Sequence, residues 1–231
     1  TVSKRNKRQE FDWLGVDQSR DAGECTQLLS EKEFDWVVVD HYGINKVWHQ
    51  QIRDHTKKLL VIDDLADREY SCDLLLDQNY YPGAKNRYTG LVSRECKLLL
   101  GPQYALLREE FANYSGKQET EKGSVDTLLV YFGGSDLGNN TLKALQGIQT
   151  SKCKDAKVNV IISPQSPYKQ EILNFASAME NVNCFDFIEN IAEVMRDSDL
   201  YIGSAGTTTW ERCCTGLPSM VLAIAENQIK P

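Results

Sequence analysis

The sequence predicts an α/β protein built from two Rossmann-like parallel-sheet domains, and three observations carry that prediction. Short apolar runs recur along the chain, with amphipathic helical patterns between many of them. Strands alternating with helices pack as right-handed βαβ units around a parallel sheet. The run from Phe34 to Asp40 (Phe-Asp-Trp-Val-Val-Val-Asp) is continuous in apolar character, the mark of a strand buried on both faces. Finally, the stretch up to residue 124 that begins Ala-Asn-Tyr-Ser-Gly at Ala112 is polar and reads as a linker. It divides the chain into a first domain at 1–112, a linker at 113–124 and a second domain at 125–231.

Taken in order, residues 1–10 are polar and a short apolar piece follows at 11–16. A helical pattern from Asp21 to Lys32 places Cys25, Leu28 and Leu29 on one face. The strand at 34–40 stops at Asp40-His41-Tyr42-Gly43. His41 there is a candidate ligand residue or a capping or surface histidine. A helix is expected over 45–56, then strands at 59–63, 72–76 and 96–100. Strands that end repeatedly in Asp mark either a binding edge or ordinary solvated ends. The second half alternates more cleanly. Strands are expected at 127–132, 158–162, 182–187, 200–202 and 220–225, and helices after Asn139 and over 168–179, 191–196 and 208–214.

Composition narrows the classes of function. The 231 residues are 41% hydrophobic, enough for a packed core, and carry a formal charge of −7. That balance argues against non-specific nucleic-acid binding, which needs clustered positive charge. The basic run Lys4, Arg5, Lys7 and Arg8 reads as a solvated segment. No apolar run approaches the roughly 20 residues of a membrane span, and no apolar stretch follows the basic residues as in a signal peptide. Seven cysteines show no C-x-x-C and no Cys/His ligand spacing, so no zinc site is expected. Apolar neighbours around Cys72, Cys184 and Cys213 read as buried reduced thiols, and hence as a cytoplasmic protein.

The most informative stretch runs from Asp199 to Arg212. Leu200 to Ile202 form a strand, Gly203-Ser204-Ala205-Gly206 a small-residue turn, and Thr207, Thr208 and Thr209 the start of a helix through Trp210, Glu211 and Arg212. A helix amino end with its free N–H groups suits a phosphate, and Glu211 is placed to accept from a ribose. The same residues also make a tight turn whose threonines only cap. A second glycine turn, Gly133-Gly134-Ser135-Asp136, follows the strand at 127–132. In one parallel sheet both turns lie on the carboxyl edge and together can hold a nucleotide diphosphate.

Several further motifs occur in the same order in one known family. They are Asp40-His-Tyr-Gly, Leu60-Val-Ile-Asp-Asp-Leu-Ala-Asp-Arg68, Cys72-Asp-Leu-Leu-Leu-Asp-Gln-Asn79 and Leu99-Leu-Gly-Pro-Gln-Tyr-Ala-Leu-Leu-Arg108 in the first half. Phe132-Gly-Gly-Ser-Asp136, Gly206-Thr-Thr-Thr-Trp-Glu-Arg-Cys-Cys214 and Ala225-Glu-Asn-Gln228 follow in the second. From about residue 34 to residue 228 the chain resembles the UDP-2,4-diacetamido-2,4,6-trideoxy-β-L-altropyranose hydrolases of pseudaminic acid biosynthesis. The resemblance implies a glycosyltransferase-B-like fold, two Rossmann-like domains facing across a cleft with UDP on the second. It implies that Gly134, Ser135, Asp136, Ser204, Ala205, Gly206, Thr207 and Thr208 surround the diphosphate and that Glu211 binds the ribose. Asn227 and Gln228 would line the sugar site, with Tyr104 facing it from the first domain as the candidate catalytic side chain. The implied reaction is attack of water at the anomeric carbon with inversion, releasing UDP and the diacetamido sugar, without metal or cofactor. A glycosyltransferase of the same fold and a non-catalytic nucleotide-sugar-binding module are the alternative readings. The family opens with a strand, a glycine-rich turn and a Gly-His-x-x-Arg helix start whose histidine is the expected base. His41, His49 and His55 do not stand in that motif, so the first domain is expected to be incomplete in this chain.

Overall fold

A computed structural model describes residues 14–114, 123–206, 208–224 and 228. The chain divides between Leu106 and Leu107 into two compact units. Each carries its own all-parallel sheet, so the structure is α/β as expected.

The first unit orders its strands β1 (Phe34–Val39), β2 (Thr56–Ile62), β3 (Leu74–Asp77) and β4 (Lys97–Leu100) side by side. Helix α1 (Gln18–Ser30) begins at Asp17, whose carboxylate accepts the Ser19 N–H at 2.8 Å. Helix α2 (Lys46–Ile52) is capped in the same way by Asn45, which accepts from the Val47 amide at 2.9 Å. The helix expected to reach residue 56 stops at Ile52. A 3₁₀ turn spans Arg53–His55, and β-branched Thr56 already pairs with Phe34 as the first residue of β2. Val39, Leu59, Val61 and Leu75 form the sheet's share of the core, covered by Ala22, Trp48, Ile52, Tyr70 and Tyr88. The apolar run at 34–40 does not lie buried on both faces. Among the described residues β1 is an edge strand, and Trp36 and Val38 are half exposed.

In the second unit the strand order is β7 (Val182–Phe185), β6 (Lys157–Ile161), β5 (Thr127–Tyr131), β8 (Leu200–Ser204) and β9 (Ser219–Leu222). Here the continuous apolar run means what it predicts. Leu128 and Val130 of β5 face one core with α3 (Asn140–Gln149) and α4 (Lys169–Ala176). Leu129 faces the opposite core with Met195 of α5 (Ile191–Arg196), Tyr201 and Phe111. Helix α6 (Thr208–Thr215) follows β8. Residues 107–112, which composition assigned to the first domain, belong to this second unit: Phe111 is fully buried in its core, and its carbonyl lies 3.5 Å from the Cys214 thiol.

All seven cysteines are free. Cys72 is buried and Cys184 half-buried as expected, but Cys213 is exposed. Buried Arg212 and Thr215 define the inner face of α6, and the helical turn carries residue 213 away from it. The basic run at 4–8 lies outside the described residues.

Candidate functional site

The candidate site is the carboxyl edge of β5 and β8, which run side by side with Tyr131 paired to Gly203. That pairing demands glycine at 203. A Cβ there would collide with the Tyr131 carbonyl oxygen and with the Tyr201 ring. The Tyr201 hydroxyl donates to the same carbonyl at 2.6 Å, and burial pushes this phenol up to about 12.

Past the strand ends the chain turns twice. Gly133 sits at φ +85°, a conformation that costs other residues strain, and starts the first turn. Gly134 and Ser135 are exposed, and a Cβ on Gly134 would meet nothing within 4 Å. In the second turn Ser204 is 5% exposed, and Thr209 N–H closes onto the Gly206 carbonyl at 2.9 Å. Ser204 Oγ joins the two turns. It lies 3.7 Å from the Cβ position of Gly133 and 4.0 Å from that of Gly206. Gln228 completes the group: its Nε2 is 3.9 Å from the Gly206 Cβ position, and its Oε1 accepts from the Ile224 amide at 3.0 Å. Thr207 and Asn227 lie outside the described residues.

Asp136 serves this edge through the backbone. Both carboxylate oxygens are engaged. They accept from the Asn140 and Thr141 amides at 2.9 and 2.8 Å, and from the Asn140 side chain and Thr141 hydroxyl at 3.0 and 2.7 Å. The side chain thus caps α3 and directs its amino end toward the first turn.

Glu211 stands in the first turn of α6 with its side chain 16% exposed. Burial pushes its carboxyl above the usual range, while Arg108, 3.3 Å away, pulls it back toward the ionised form. Arg108 also pairs with Glu110 at 2.9 Å. Sequence reasoning assigned no role to Arg108 or Arg212. Arg212 is buried with its guanidinium 4.6 Å above the Tyr201 ring, and it donates to the Thr209 hydroxyl at 2.9 Å. An arginine one position after Glu211 was the visible signal, but the face it takes depends on packing.

Tyr104 belongs to the first unit, on a 3₁₀ turn at Pro102–Tyr104, and is 40% exposed. The aspartates that end β2 and β3 are neither a solvated fringe nor an open binding edge. Asp63 and Asp77 are each 2% exposed. Asp63 accepts from the amides of Leu65 and Ala66 at 3.1 and 2.9 Å and pairs with Arg68 at 2.8 Å. Asp77 takes the Asn79 amide and Arg87, and the Tyr88 hydroxyl reaches both carboxylates. His41 spends Nδ1 on the Gly43 amide at 3.0 Å.

Surface cavities of about 510 and 260 Å³ are lined by first-unit residues, whereas the glycine turns belong to the second unit. No group of three or more His, Cys, Asp or Glu among the described residues is arranged to hold a metal. No helix among them is long and apolar enough to cross a membrane.

Comparison with known proteins bears on the family and the fold. Residues 127–228 match the glycosyltransferase family 28 C-terminal domain. The chain is 30% identical over 225 residues to an uncharacterised Methanocaldococcus jannaschii protein, covering 94% of this chain but 46% of that protein. The match spans less than half the length of that relative. Among solved structures, Staphylococcus aureus MnaA in a co-structure with UDP superimposes with a TM-score of 0.58 at 12% identity, over 93% of this chain and 64% of that one. A Listeria monocytogenes structure described as a putative UDP-N-acetylglucosamine 2-epimerase gives 0.54 at 13% identity, over 91% and 63%. These likenesses show the fold, which is glycosyltransferase-B-like. The UDP-2,4-diacetamido-2,4,6-trideoxy-β-L-altropyranose hydrolase of Campylobacter jejuni is 30% identical over 206 residues, 89% of this chain and 72% of that protein. The chain belongs to the family of that hydrolase.

Proposed function

We propose that the protein hydrolyses a UDP-linked 2,4-diacetamido-2,4,6-trideoxy sugar, releasing UDP and the free sugar by inverting attack of water at the anomeric carbon. The convergence of the two glycine turns on Ser204 carries this reading. It puts two sets of backbone N–H groups, from Gly134 and Ser135 and from Ala205 and Gly206, on one sheet edge beside the amino end of α6. Thr208, the first residue of α6, adds a hydroxyl there. Oriented amides of this kind stabilise the charge that builds on a departing diphosphate, so the leaving group needs little help from a general acid. Glu211, paired with Arg108 at 3.3 Å, accepts from the ribose hydroxyls. Gln228, beside Gly206, is the candidate contact for the sugar on this edge. The substrate is UDP-sugar alone, and no metal or cofactor takes part in this scheme.

Calorimetric titration of UDP tests the site. Wild type should bind, and Glu211→Ala should weaken binding by about 1–3 kcal/mol, since a buried polar partner is lost. Unchanged affinity in that variant removes the ribose assignment.

The match of residues 127–228 to a glycosyltransferase domain supports a second reading, transfer of the sugar to an acceptor other than water. Consumption of the UDP-sugar without any acceptor distinguishes hydrolysis from transfer. Retained UDP affinity with no turnover in either assay identifies a nucleotide-sugar-binding module.

A further inference from the structure

We propose that Cys72 and Cys96 form a modification site, a dithiol that a peroxide converts into an intramolecular disulfide. The pair lies in the first unit, apart from the glycine turns, and does not depend on the proposed hydrolase reading.

Geometry carries the proposal. The two sulfurs are 3.7 Å apart in a thiol–thiol contact. A disulfide requires about 2.05 Å, so the sulfurs have to approach by only about 1.7 Å. The backbone supports that approach. Cys72 and Cys96 lead into β3 and β4, which pair in register with Leu74 beside Lys97, and the Lys97 amide donates to the Asp73 carbonyl at 2.9 Å. That register sets residue 96 beside residue 73, one step from Cys72 on strands about 4.8 Å apart, so the two backbones are roughly 6 Å apart, within the reach of a disulfide.

Access and chemistry point the same way. Cys72, though 8% exposed, lines the surface cavity of about 260 Å³, together with Arg53 and the segment Gly90–Ser93. Cys96 is half-buried and reachable from solvent. With Cys72 as hydrogen-bond donor, the contact favours a thiolate on Cys96 and pulls that thiol down, while the same contact and burial push Cys72 up. Cys96 is also the more exposed of the two thiols, so it takes the attacking role. The Cys96 thiolate attacks the peroxide R–O–O–H, breaking its O–O bond to give Cys96–S–OH and RO⁻. The Cys72 thiol then displaces the hydroxyl, forming the S–S bond, and its proton leaves with that hydroxyl as water. The peroxide takes up the two electrons that the two sulfurs lose. Other exposed or neighbouring cysteines, such as Cys213 and Cys214, lack this preset approach across two strands.

The disulfide would close a loop across 24 positions of sequence. That loop contains Asp77, Arg87 and Tyr88, the braces of the sheet's carboxyl edge. Oxidation therefore clamps the β3–β4 crossover from its amino end.

The test uses the whole chain, reduced and then treated with hydrogen peroxide at a small molar excess. Denaturing alkylation should label five of the seven cysteines, and the intact protein should be about 2 Da lighter. Peptide mapping should find one cross-link joining residues 72 and 96, reversed by dithiothreitol. In Cys96→Ser all six remaining thiols should stay alkylatable at the same dose. Full alkylation of both Cys72 and Cys96 in oxidised wild type overturns the proposal. So does a cross-link that pairs either with another cysteine or with a second molecule. The wild-type measurement decides the matter even if the serine variant folds poorly.

Discussion

At the scale of single residues, two positions show how strictly the environment dictates chemistry. Gly203 is fixed by space: the Tyr131 carbonyl and the Tyr201 ring occupy the place of any Cβ. Both neighbours are held, one by the sheet and the other by its own hydrogen bond to that carbonyl, so neither can retreat. Gly203→Ala should lower stability by about 1–3 kcal/mol, read as an earlier urea midpoint of the second unit. His49 is fixed by solvation. It is fully buried beside Trp48 and Tyr70, its Nδ1 accepts from the Ser71 amide at 3.2 Å, and its Nε2 has no partner. Burial, reinforced by nearby Arg68, pulls its titration down to about 4 from an ordinary 6.5. The folded protein therefore keeps this imidazole neutral while the unfolded chain takes up a proton. Its contribution is complete above about pH 6.5 and is lost progressively as pH falls toward about 4, by ~3 kcal/mol. Unfolding free energies measured across that window should show the slope in wild type and lose it in His49→Leu. An unchanged slope in the variant assigns the proton to another group.

Elements follow from short-range signals read correctly, and from packing where those signals are ambiguous. Capping residues set the starts of α1, α2 and α5 at Asp17, Asn45 and Asn190, and α1 therefore begins at Gln18, ahead of the pattern read from Asp21. Asp136 does the same for α3 from four residues upstream, which a pattern of adjacent caps does not reveal. Asp136→Ala should cost ~1 kcal/mol in urea unfolding and fray the first turn of α3, seen as faster amide exchange at Asn140 and Thr141. No change in exchange there would mean that the Asn140 and Thr141 amides find other acceptors. The apolar run 34–40 illustrates the ambiguity. Its composition matches that of β5, yet β5 has a strand on each side and β1 pairs with β2 alone among the described residues. Apolar content sets strand propensity, while neighbours in the sheet set burial.

For the whole molecule, the two sheets have separate cores, so ligand effects should be local to the unit that binds. Saturating UDP at about 100 times Kd should stabilise the second unit by about 2.7 kcal/mol. Hydrogen exchange should slow at 132–136 and 203–206 and leave β2 and β3 unchanged. Protection confined to the first sheet would move the nucleotide site to the other unit.

The sequence by itself determined the α/β class, the strand and helix succession, the two glycine turns and the family. Each of these rests on local periodicity, turn chemistry or ordered motifs, all of which are written along the chain. It also marked Glu211 through its place in the first turn after the small-residue stretch. Tertiary structure decided what lies next to what. It seated Ser204 between turns 70 positions apart, because β8 pairs directly with β5 and skips two intervening strands. It turned Asp63 and Asp77 into buried braces by bringing Arg68, Arg87 and Tyr88 over the strand ends. It exposed Cys213 and set Cys72 against Cys96. These outcomes depend on strand order and on which helix face meets the sheet, and distances across a sheet are not encoded in the spacing of residues along the chain.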